Sequence, residues 1–146
     1  MVPELSRQTA IMLRQILKYH AHNQQHEKRL GMYLTWQFRV NARHGGVVRC
    51  EMETLLQQSG ITPDLKNPQR TRKRIEHALE QLEQDEVIGE HARIVEDTPE
   101  AKLKEERIET LAYHWWQDYV HQLWVIHPPQ SVKQAYQALL QEPNES

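Results

Sequence analysis

The stretch NPQRTRKRIEHALEQLEQDE, residues 67–86, decides how the chain is read. Asn67 is a side chain suited to accept from the free amides of a first helical turn, and Pro68 has the fixed φ that suits such a turn. With Ile75 at the centre of one face, Thr71, Ala78, Leu79 and Leu82 fall within roughly 60° of it at 100° per residue. Arg70, Lys73, Arg74, His77 and Gln81 project to the other side. The spacing predicts an amphipathic helix over 68–86. Its charge is graded along its length. Lys66, Arg70, Arg72, Lys73 and Arg74 crowd the start, whereas Glu80, Glu83, Asp85 and Glu86 crowd the end.

Working outward, Pro63, Asp64, Asn67 and Pro68 make 61–68 a loop. Before it, Glu51–Ser59 reads as a short helix with Met52, Leu55 and Leu56 inward, closed by Gly60. Val47–Cys50 is a β-type run, preceded by a periodic stretch with Leu30, Tyr33, Leu34, Gln37/Phe38 and Asn41 that ends at His44-Gly45-Gly46. Leu5, Thr9, Met12, Leu13, Ile16, Leu17 and His20 recur at helical spacing, which predicts a first helix over 5–25 with a polar patch at Asn23–Gln25. Downstream, Val87-Ile88 and His91–Val95 read as strand. Residues 96–110 read as a charged loop with some helix, Tyr113–Gln122 as a short helix and Leu123–Ile126 as an apolar strand stopped by Pro128-Pro129. Ser131 is the expected cap of a last helix, 131–141, whose Val132, Ala135/Tyr136 and Leu139/Leu140 form one face.

The expected class is mainly α with a small β-sheet, a single domain over 1–146: an N-terminal helix at 5–25, a core at 26–129 and a C-terminal helix at 131–141. With 146 residues, a chain can bury roughly 68–70% of its unfolded surface, so its core needs no disulfide or metal staple. One cysteine, Cys50, allows no internal disulfide and fits a reducing, cytoplasmic setting. No apolar run reaches the roughly 18 residues of a membrane span, so no membrane partner is expected. The net charge of −2 conceals a polarity. Residues 1–77 carry 13 basic and 6 acidic side chains, while 78–146 carry 5 basic and 14 acidic. A chain divided in this way can offer one face to a polyanion, or its halves can pair internally.

The order of helix, short strand, helix, turn, helix, strand, long loop and strand, carried by 30–43, 47–50, 51–59, 68–86, 87–95 and 123–127, resembles a winged helix-turn-helix. About two thirds of the chain takes part, with additional N- and C-terminal helices outside. The resemblance is to a fold; no residue motif selects one family, although replication initiators and regulators of mobile elements or plasmids look like this most often. It implies that helix 68–86 enters the major groove of double-stranded DNA. The residues expected to contact DNA are Lys66, Gln69, Arg70, Arg72, Lys73, Arg74 and His77, with Arg43 and Arg49 as a weaker group on the backbone. A helix N-terminus and Arg forks both suit such a partner. The competing reading is a solvated basic face. The acidic stretch 96–110 would be repelled by phosphates, leaving the helix to supply most of the affinity.

Catalysis is not expected. Cys50 has no evident partner residues, and no phosphate-binding glycine loop is present, so no cofactor and no small-molecule substrate are foreseen. His20, His22 and His26 scatter around a helix, and His114 and His121 stand seven apart without supporting ligands, so no metal is expected. Trp36 and Trp124 read as core. Trp115 and Trp116 diverge, leaving one of them for contact with a protein partner or a second copy. Two further readings stay open. One is a small non-catalytic subunit of a nucleoprotein assembly, such as a CRISPR-type effector. The other is a winged helix used only for protein contacts, through Trp115/Trp116 and the last helix.

Overall fold

A computed structural model describes residues 3–141; of the side chains of 3–5 and 139–141, Leu139 and Leu140 among them, nothing is described. The described elements are α1 (Pro3–Leu17), α2 (Gln25–Val40), a 3-10 turn (Ala42–His44), β1 (Val48–Glu51), α3 (Met52–Ser59), α4 (Pro68–Gln84), β2 (His91–Arg93), α5 (Pro99–Thr110), α6 (Trp115–Val120), β3 (Leu123–Ile126) and α7 (Gln130–Gln141). The protein is mainly helical with one small antiparallel sheet. β3 lies in its centre, with β1 and β2 on either side. Val48 pairs with Ile126 across one edge, and His91 pairs with the same Ile126 across the other.

The core is built where α2 crosses α1 and α4. Leu30, Leu34 and Phe38 of α2, Met12 and Ile16 of α1, and Ile75, Leu79 and Leu82 of α4 are all buried. Gly31 makes the approach close enough. A Cβ there would stand 3.0 Å from the Ile16 side chain and 3.2 Å from that of Leu82, so a larger residue would have to displace both. α7 lies against α1 and the 3-10 turn, burying Val132, Ala135 and Tyr136. Gly46, at φ 77°, carries the chain under the Tyr136 ring, where a Cβ would collide at 2.4 Å.

Several expectations need correction. The first helix ends at Leu17, and residues 18–24 turn the chain into α2. The turn is held by His20, whose Nδ1 accepts the amides of His22 and Asn23 and whose amide donates to Gln24. Leu17, expected inward, is 71% exposed. Val87 and Ile88 are buried but form no strand: both amides bond the Leu82 carbonyl and close α4. Residues 99–110 form a regular helix, because Thr98 accepts from the Ala101 amide and Pro99 occupies the first turn, the same device as Asn67-Pro68. α7 starts at Gln130, which places Ser131 inside its first turn instead of at its cap.

Candidate nucleic-acid interface

α4 is capped as its sequence requires: the Asn67 side chain accepts from the Arg70 amide, with Pro68 behind it. Thr71, Ile75, Ala78, Leu79 and Leu82 are its buried residues. Opposite them Gln69, Arg70, Lys73, Arg74 and His77 are exposed, with Lys66 exposed in the lead-in. Among the described residues, none of Lys66, Arg70, Lys73 or Arg74 makes an ion pair, although three of the four share one helix with several carboxylates. Four of the five cations of the acidic half behave differently. Arg93 pairs with Glu105 and Glu109, Arg107 with Asp118, Lys102 with Asp97 and Lys104 with Glu100. Arg93, Lys102, Lys104 and Arg107 thus pair within the acidic half, and Arg72, 3.9 Å from Glu109, is the α4 cation that pairs across to it among the described residues.

Arg72 departs from its expected role. It lies about 60° from Ile75 on the helical wheel, and its side chain is 15% exposed. Its guanidinium bonds Glu76 at 3.3 Å and the Ile108 carbonyl at 3.2 Å, and it sits 5.8 Å from the Trp115 ring and 5.1 Å from that of Tyr119. Arg72 thus ties α4 to the α5–α6 insertion and faces no groove. Trp115 and Trp116 are both half-buried and pack edge to face at 5.7 Å. Trp36, read as core, is 64% exposed, whereas Trp124 is buried as read.

Beside α4, the turn before α2 and the start of α2 form a cleft of about 410 Å³. Its walls carry His22, Asn23, His26, Arg74 and His77, and buried Glu27 lies on its floor. Burial holds His26 below the usual imidazole range, and the neighbouring charges of Arg74 and Arg29 push it the same way. At the other end of α4 the surface turns acidic, where Glu83, Glu86 and Glu90 line a groove of about 560 Å³ against His127, Pro128 and Lys133. Arg43 and Arg49 are exposed on the 3-10 turn and on β1, as separate positive points outside the α4 row.

Two other groups bear on chemistry. Burial pushes the Cys50 thiol up to about 11, so it stays protonated at neutral pH. Glu51, Glu53 and His121 bring three ligand-type atoms within 4.8 Å of one another at the surface, with His121 Nδ1 3.3 Å from Glu53 and 3.6 Å from Glu51. Sequence spacing had no means of finding this group, since the pairing of β1 with β3 assembles it across some 70 residues. Among the described residues no helix is long and apolar enough to cross a membrane. Comparison with models of known protein families, with curated proteins and with solved structures gives no match.

Proposed function

We propose that this protein is a winged helix-turn-helix module that binds double-stranded DNA without catalysis, in replication initiation or in the regulation of a mobile element or plasmid. The observation that carries the proposal is the exposed row Arg70, Lys73 and Arg74 on the outer face of α4, with Lys66 just before it, none of which makes an ion pair among the described residues. The element order α2, β1, α3, α4, β2, β3 supports the fold reading, with α4 as the second helix of the turn unit. α5 and α6 lie between β2 and β3 in chain order, and their paired, largely acidic surface favours α4 as the reader.

In mechanism, Arg70 and Arg74 supply guanidinium forks for guanine O6 and N7 or for phosphate, and Lys66 and Lys73 act as point charges on the backbone. Gln69 and His77 extend the same outer row and reach base edges or sugar oxygens. No cofactor or metal enters this scheme.

Titration of the protein into a labelled duplex, followed by fluorescence anisotropy over a range of salt, tests it. Four phosphate contacts give a log–log slope of about −3.6. Affinity independent of salt, or equal affinity for a neutral polymer, would remove the basic row from the account.

A further inference from the structure

We propose that the outer face of α2 docks an acidic amphipathic helix of a partner protein. Met32, Trp36 and Val40 are 51%, 64% and 58% exposed. Their i, i+4, i+8 spacing puts them on one line, about 12 Å along the helix axis. No core function accounts for a tryptophan in that position, and tryptophan is the residue most enriched at interface hot spots. The platform beneath is rigid, because Gly31, Leu34 and Phe38 of the same helix are packed against α1 and α4.

The charge around the stripe selects the occupant. Between residues 6 and 50 Glu27 is the one acid, and it is buried at 6% exposure. Lys28 and Arg29 on α2 and Arg43 on the turn that follows it carry positive charge in this region. Arg29 donates to the Gly60 carbonyl, a neutral partner that leaves its charge uncancelled. A second copy laid symmetrically on this face would set cationic rim against cationic rim. A single nucleic-acid strand needs successive aromatic platforms, and the stripe has one aromatic between two aliphatic residues. A helix with an apolar ridge and acidic flanks satisfies both the stripe and its rim.

α2 meets α4 through its inner face, at Gly31 and Leu82, while the α4 cations point away from that contact. The two surfaces can therefore be occupied together, and a duplex-bound copy would hold its partner on DNA. This last step rests on the DNA reading; the docking surface itself does not.

The test pans a displayed library of helical peptides against the full chain and counter-selects against Trp36→Ala. The expected result is enrichment of peptides with a leucine-like ridge flanked by Asp and Glu. Their binding should fall at least tenfold in Trp36→Ala and at least threefold in Lys28→Glu, with duplex affinity of Trp36→Ala unchanged. Enrichment of basic peptides, or acidic binders indifferent to Trp36→Ala, overturns the proposal. So does oligothymidylate binding, or self-association in sedimentation, that disappears in Trp36→Ala. Loss of duplex binding in both proteins would sink the DNA reading while leaving the peptide result standing.

Discussion

Arg72 and Arg70 are two residues apart and do different work, because a helix turns about 200° between them. Arg72 is held by a carboxylate, a helix-terminal carbonyl and two aromatic faces. Arg72→Ala should lower stability by about 2–4 kcal/mol in chemical denaturation, from lost charged hydrogen bonds and cation–π contact. Arg70→Ala at the exposed site should stay within about 0.5 kcal/mol. Similar losses for both would mean that the clamp is not real. The tryptophans divide in the same way. Trp124→Ala should cost about 3–5 kcal/mol, whereas Trp36→Ala should be tolerated, by the same measurement. The Arg72 assignment was available from the sequence, since its angle to Ile75 matches that of the buried Ala78. The local density of basic residues hid it. Trp36 was harder, because its hydrophobicity suggested the interior while its position, two residues past Leu34, pointed outward.

Elements framed by caps and apolar periodicity were legible. Asn67-Pro68 with the Thr71–Leu82 row placed α4 nearly to its ends, and Gly60 closed α3 where expected. α5 was not legible as a whole helix. Its outer surface is mostly charged but carries exposed Leu103, Ile108 is its buried residue, and its ion pairs reach other elements: Arg93 to Glu105 and Glu109, and Arg107 to Asp118. Such pairs join residues distant in sequence, and no local period announces them. They do carry a pH signature. The Arg107 guanidinium holds the Asp118 carboxyl below its ordinary range, and Arg93 does the same for Glu109. A carboxyl lowered in the folded state stabilises above its unfolded value, near 4, and that contribution fades as pH falls through the folded value. Asp118→Asn should therefore flatten the acid limb of the stability–pH curve below about pH 4. An unchanged limb would detach α5–α6 from the stability of the whole.

For the whole molecule, the basic and acidic halves were legible in the sequence. That Arg72 alone of the α4 cations pairs with the acidic half, among the described residues, was not, since it depends on which cations the carboxylates capture after folding. The C-terminal helix packs within the chain, its Val132 and Tyr136 buried beside α1 and over Gly46. Val132→Ala should lower the thermal midpoint of the chain, and Gly46→Ala should do so more strongly through the Tyr136 collision. The wild-type midpoint should not move with protein concentration; a midpoint that rises with concentration would make α7 an intermolecular element. The central claim, that the outer row of α4 reads duplex DNA, meets its most direct test in Arg70→Glu combined with Arg74→Glu. Both positions are exposed and opposite the buried row, so circular dichroism should be unchanged. Duplex affinity at fixed salt should fall at least roughly thirtyfold, from two contacts at about 1–3 kcal/mol each. A folded double variant that binds duplex as tightly as wild type would contradict the account.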